Sequence, residues 1–221
     1  LETAYMYSRS SLVVFAIIAL AIAPTLQLNI SFDYKNQGAD WTQDYCNATE
    51  YKSNKVQQSP IAINSSNVNI FKSPHYWFPL YKPTLAKVEY LNVSVVISLK
   101  DPSDPQGFGQ VFASLSDSNR NLERTTNITI HSPAEHIIDN KTYPLEIQIA
   151  HEVVGKFLTL GNGTIVSIFF DNTTSNTPSE FLANITKAQA SGEATIDLSK
   201  LFDSKKTNLM DSYSYIGTFT M

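Results

Sequence analysis

The sequence predicts a mainly β domain with few short helices, and three observations carry that expectation. Short β-branched or aromatic runs recur between turn signals along most of the chain, while a single stretch has helical spacing. Apolar residues are 43% of the 221 and charged residues 16%, against about 25% charged for an average soluble chain, which excludes disorder. The length allows one domain, or one domain plus a tail, with a core that needs no covalent staples.

The elements follow in order. Leu12 to Ala23 (LVVFAIIALAIA) is an unbroken apolar run behind Met6, Tyr7, Ser8 and Arg9, and it reads as the h-region of a signal peptide in a leader over residues 1–28. Its twelve residues are short of the roughly 20 that span a bilayer, so an N-terminal anchor is the lesser alternative. Strands are expected over Asn67 to Phe71, Val88 to Leu99, Gln110 to Leu115, Thr125 to His131, Leu145 to His151, Thr164 to Asp171 and Ala194 to Leu198. Loops fall at Asp101 to Gly107, Ser132-Pro133 and Asn172 to Pro178, where turn-forming residues cluster. Ser179 to Ser191 reads as a helix, with Phe181, Leu182 and Ile185 on one face and Gly192 past its end. No repeat or boundary divides residues 29–221, which form one domain.

Several function classes drop out. A net charge of −4, with no basic run longer than Lys205-Lys206, gives nucleic acid no electrostatic footprint. One cysteine, Cys46, excludes a cysteine zinc site and any disulfide closed within the chain. There is no Gly-x-Ser-x-Gly elbow, phosphate-cradling loop or His-Glu-x-x-His pair. Nine Asn-x-Ser/Thr sequons stand at Asn29, Asn47, Asn64, Asn92, Asn127, Asn140, Asn162, Asn172 and Asn184, where composition gives roughly three by chance, so a glycosylated secretory protein is expected. Asn127 belongs to an inward-facing row and is expected to carry no glycan.

Strand parity locates the polar chemistry. Asn127, Thr129 and His131 share one face of their strand, with Ile128 and Ile130 behind; Glu146, Gln148 and Ala150 share one face of theirs, opposite Leu145, Ile147, Ile149 and His151. Parity alone leaves two arrangements: both polar rows face water, or they line a polar cleft.

These residues resemble an α-class carbonic anhydrase. Phe32 to Trp41 (FDYKNQGADW) resembles the family's N-terminal aromatic segment, and Gln57-Gln58-Ser59-Pro60-Ile61 its Gln-Ser-Pro-Ile stretch. Ile128 to His136 (ITIHSPAEH), Asp139 to Pro144 (DNKTYP) and Leu145 to His151 (LEIQIAH) resemble the metal-bearing hairpin; Thr164 to Asp171 (TIVSIFFD) and Tyr213 to Thr220 (YSYIGTFT) resemble the strand walling the CO2 pocket and the approach to the substrate loop. The resemblance implies one domain around a large, mostly antiparallel twisted sheet, and a zinc whose bound water, its pKa lowered to about 7, becomes the hydroxide that attacks CO2.

Carried over by position, the three zinc-ligand places are held by Thr129, His131 and Gln148, so two of three imidazoles are replaced. The resemblance makes Thr220 the hydroxide-orienting threonine, Glu135 its proton acceptor, and Glu146 and Asn127 supports behind the ligands. The proton-shuttle place falls near Leu91 to Ser94, where Ser94 cannot shuttle at neutral pH. His136 and His151 fall on framework positions, and His75 reads as packing or surface. The family continues past Met221 with a Pro-Pro-Cys segment, which makes the chain a fragment by expectation and puts the partner of Cys46 outside it.

The expectation is therefore a secretory or cell-surface module without zinc or other cofactor. It has lost CO2 hydration and serves a protein partner or larger extracellular assembly, with membrane contact only through an uncleaved leader or a missing C-terminal tail. The alternative is an active carbonic anhydrase with an altered ligand set and zinc bound.

Overall fold

The computed structural model describes residues 13–18, 59–68, 76–92, 94–114, 120–154, 163–171, 179–202 and 212–217. In chain order the strands are β1 (Val13–Ile18), β2 (Ala62–Ile63), β3 (Tyr76–Tyr81), β4 (Thr84–Tyr90), β5 (Ser94–Leu99), β6 (Gly109–Ser114), β7 (Arg120–His131), β8 (Ile137–Ile138), β9 (Lys141–Thr142), β10 (Leu145–Val153), β11 (Gly163–Phe170), β12 (Glu193–Ile196) and β13 (Ser212–Gly217). The helix α1 (Glu180–Lys187) and two 3-10 turns, Ser65–Asn67 and Leu198–Leu201, complete the described elements. The mainly β expectation holds.

Ten strands form one sheet. Its main path runs β12-β4-β5-β7-β10-β11-β1-β13, and β3 and β6 branch from the N-terminal half of β7. Every pairing in it is antiparallel except β1 with β13. A second, three-stranded sheet, β2-β8-β9, lies beside it.

The core sits on one side of the large sheet. Ile128 and Ile130 of β7, Ile147 and Ile149 of β10 and Val166 and Ile168 of β11 cluster there with Phe181 and Ile185 of α1. Each such side chain contributes about 1.5–3 kcal/mol by leaving water, so this row holds the central strands in register. Glu180 opens and Lys187 closes α1, as the helix dipole favours, and Gly192, at φ +70°, donates its N–H to Ala188 O at 2.8 Å to end it. A smaller cluster, including Ile63, Ala134, Ile138, Phe169 and Tyr213, closes over the other side.

Two expectations need correction. Val88 to Leu99 is a hairpin, β4 and β5, turning where Leu91 N–H donates to Ser94 O at 2.9 Å. In the segment read as a strand over Asn67 to Phe71, Ser65–Asn67 is a 3-10 turn capped by the Asn64 side chain, and residues 69–71 lie outside the described set. Of the two arrangements that parity left open, the structure has the covered one, with His131, Glu146 and Gln148 of the polar rows of β7 and β10 buried. Val13–Ile18, inside the apolar run of the leader, pairs with β11 and β13. An apolar run of six β-branched and aromatic-rich residues suits a central strand as well as an h-region. Among the described residues no helix is long and apolar enough to cross a membrane.

Candidate functional site

Four strands place the site in layers. Ser94 of β5, His131 of β7, Glu146 of β10 and Phe169 of β11 stand in one row across the sheet. Val96, Thr129, Gln148 and Ser167 form the next row, and Ser98, Asn127, Ala150 and Ile165 the third. Residues in one row across paired strands point to the same side, so the three ligand-position residues Thr129, His131 and Gln148 share one face. That face is opposite the isoleucine core. Parity in the sequence therefore anticipated which residues meet, and left open whether water covers them.

The loop between β7 and β10 folds back over this face and is held by one carboxylate. Glu146 Oε2 accepts the backbone N–H of Glu135 at 2.9 Å and of His136 at 3.1 Å. Its Oε1 lies 2.7 Å from His136 Nδ1 and accepts from Gln148 Nε2 at 3.0 Å. Burial alone raises the pKa of such a group, but the hydrogen bonds and charge from His136 outweigh it and hold Glu146 down at about 2. The anion at Glu146 thus fixes Glu135, His136 and Gln148 at once.

Gln148 is committed by this arrangement. Its amide nitrogen also donates to Glu135 Oε2 at 3.2 Å, so both amide hydrogens have carboxylate acceptors. His131 differs. It is buried, its Nδ1 lies 3.4 Å from Glu135 Oε1, and neither ring nitrogen makes a hydrogen bond to the described residues. Glu135 and Glu146 gather around Gln148, and the contact of Glu135 with Thr220 that the resemblance implies lies outside the described residues. Asn127 stands one row away, its Oδ1 accepting the N–H of Ile128 at 3.0 Å. Thr220 and Cys46 lie outside the described residues, as do Asn29, Asn47, Asn162, Asn172 and His75.

The residues present do not fit tetrahedral zinc. One imidazole is available at His131, Thr129 offers a hydroxyl that must lose its proton to bind well, and Gln148 turns its amide nitrogen to two carboxylates. Among the described residues no three His, Cys, Asp or Glu side chains are grouped to hold a metal ion.

A second buried polar cluster, missed on sequence, occupies the core side of the same strands. Glu123 of β7 is buried; its Oε1 accepts the Thr164 hydroxyl at 3.1 Å and its Oε2 has no partner among the described residues. His151 Nδ1 donates to Thr164 O at 3.0 Å, so Nε2 is left to accept from the Tyr81 hydroxyl at 3.2 Å. Desolvation pushes Glu123 up to about 7 and His151 down to about 4, and burial also raises the Tyr81 phenol. The β7 strand was expected from Thr125 onward; its true start at Arg120 and a bulge between the pairs Ala150/Asn127 and His151/Thr125 turn Glu123 and Thr125 inward. A Glu alternating with Leu122 and Arg124 was the available cue. The histidines fall where the resemblance put them, His136 on Glu146 and His151 in the frame.

A family model described as eukaryotic-type carbonic anhydrase matches residues 36–221. Among solved structures, dioscorin complexed with ascorbate aligns over 86% of this chain and 84% of its own, at 18% identity and a TM-score of 0.59. The α-carbonic anhydrase of Photobacterium profundum aligns over 86% of this chain and 85% of its own, at 14% identity and a TM-score of 0.52. At such identities the likeness is one of fold. No curated protein matches the chain in sequence.

Proposed function

The chain belongs to the eukaryotic-type carbonic anhydrase family, and from that premise we propose that it keeps the family's fold without its zinc chemistry, acting as a secretory or cell-surface binding or structural module. The observation that carries this reading is Gln148. At a position where the family needs a zinc-binding imidazole, its amide is anchored on Glu135 and Glu146. In the family the metal lowers the pKa of a bound water from about 15.7 to about 7. Thr129, His131 and Gln148 supply nothing equivalent, so neutral water near them stays a poor nucleophile.

The secretory part rests on the apolar run behind Arg9 and on the excess of sequons. The net charge of −4 favours a protein partner over a polyanion. Zinc content of the purified chain, measured beside CO2 hydration, tests the reading. We expect far less than one zinc per chain and no rate above the uncatalysed one; stoichiometric zinc with catalysis establishes the active alternative instead. The double variant Thr129→His with Gln148→His is expected to take up one zinc. If it folds and takes up none, the assignment of these strands to the ligand positions is wrong.

A further inference from the structure

The turn between β4 and β5 brings three features together. The last paired residues of the two strands are Tyr90 and Val95, and beyond them Leu91 N–H closes the turn on Ser94 O at 2.9 Å. Asn92 is exposed at this tip, in the sequon Asn92-Val93-Ser94. Leu91 beside it is 56% exposed and Tyr90 41%, although the Tyr90 hydroxyl is tied to Ile185 O at 2.5 Å. Ser94 itself stands opposite His131 in the first row of the cleft.

We infer that Asn92 carries an N-linked oligosaccharide, which covers the apolar Tyr90–Leu91 tip and stands beside the His131 row of the cleft. The inference rests on the secretory reading above. In the transfer the Asn92 amide nitrogen forms a bond to the anomeric carbon of an oligosaccharide carried on a lipid diphosphate. The bond from that carbon to the diphosphate oxygen breaks, the lipid diphosphate leaves, and the amide proton passes to the transferase's base. A turn is where such a group fits without breaking a ladder, and asparagine is a favoured turn residue.

The other described sequons are placed less well or lack the apolar tip. Asn140, in Asn140-Lys141-Thr142, is exposed in the β8–β9 turn at φ 61° but stands between the exposed charges of Asp139 and Lys141. Asn127 lies in mid-sheet, with Ser98 opposite on β5 and Ala150 opposite on β10. Asn184 is half-buried in α1, where its sequon threonine, Thr186, gives its hydroxyl to Leu182 O at 3.0 Å. Asn64 is exposed, but its side-chain oxygen caps the 3-10 turn by accepting from Ser66 N at 3.0 Å and Ser66 Oγ at 2.6 Å.

Expression of the full chain with its own N-terminus in a eukaryotic secretory host, followed by glycopeptide mass spectrometry, tests this. The expected result is a glycan at Asn92 and bare asparagine at Asn127. Asn92→Gln and Ser94→Ala are each expected to remove one glycan, while Ser94→Thr keeps it. The Asn92→Gln protein is expected to bind more of an apolar dye than the parent. A chain glycosylated elsewhere but bare at Asn92 overturns this inference alone; a chain without any glycan and retained in the host cell overturns it together with the secretory reading.

Discussion

Glu146 and Glu123 are both buried, on neighbouring paired strands, and they end in opposite electrostatic states. Glu146 faces the cleft, where two backbone N–H groups, an imidazole and an amide converge on it, and it stays ionised down to about pH 2. Glu123 faces the core, where burial outweighs the hydrogen bonds it receives from Thr164 alone among the described residues, and its pKa rises to about 7. The groups facing it carry no described positive charge: Thr125 from its own strand, His151, held neutral, from β10, Thr164 from β11 and the Tyr81 phenol from β3. Arg124 points the other way and pairs with Glu152 at 3.2 Å. Burial therefore does not decide the charge of a carboxylate; the number of donors that accompany it does.

The comparison breaks most visibly at Glu146. Glu146→Ala leaves two backbone N–H groups, His136 and the Gln148 amide without their acceptor, and is expected to cost about 3–5 kcal/mol, the range for breaking a buried charged network. Urea unfolding at pH 7 measures it. A cost below about 1 kcal/mol means that the loop over the cleft is held by something else.

At Glu123 the pH dependence has the opposite sign. The folded pKa of about 7 lies above the ordinary 4.5, so the native state binds the extra proton between those values. Stability from this group is complete below pH 4.5, falls as pH rises to 7, and stays lost above it. Integrated over that window the loss is about 3 kcal/mol. Glu123→Gln cannot ionise, so its stability relative to the parent is expected to improve by about that amount between pH 4.5 and pH 8. A difference independent of pH removes the assignment of a protonated carboxyl to this position.

His151 sharpens the same measurement. Its folded pKa of about 4 lies below the ordinary 6.5, so its contribution is present above pH 6.5 and is lost as pH falls toward 4. Between pH 4.5 and 6.5 the Glu123 and His151 slopes oppose each other, and the parent is expected to be nearly level there. Glu123→Gln exposes the His151 slope, about 1.4 kcal/mol per pH unit, rising with pH. A parent curve as steep as the variant's contradicts the pairing of the two groups.

The cleft side was legible in the sequence because alternation over Thr125 to His131 and Leu145 to His151 fixes which side chains share a face, and both stretches are strands as expected. The core side was not. Its geometry depends on a bulge that skips one residue of β7, and no residue type at Thr126 announces one. The turn inside Val88 to Leu99 was equally hidden, because Asn92-Val93 lacks the glycine that usually marks a two-residue hairpin. The strand β3 escaped because Pro79 argues against a central strand; among the described residues β3 pairs with β6 alone, and an edge tolerates proline. The burial of the polar rows came from the loop 132–144 folding back, a long-range event that periodicity does not carry.

The smallest effect belongs to Thr125, on the core side with Glu123. Its backbone carbonyl is used, accepting Phe108 N–H at 3.0 Å, but its buried hydroxyl has no partner among the described residues. A hydroxyl taken out of water without a new hydrogen bond is a net cost, and valine keeps the branched shape that suits the strand. Thr125→Val is therefore expected to stabilise the fold by about 1 kcal/mol, read as a shift of the urea midpoint at constant slope. A loss of similar size shows that the hydroxyl has a partner in solution, with the Glu123 Oε2, which also lacks a described partner two residues along the strand, as the claimant tested. Repeating the substitution in the Glu123→Gln background decides that point, because a partnership between the two side chains makes their effects non-additive.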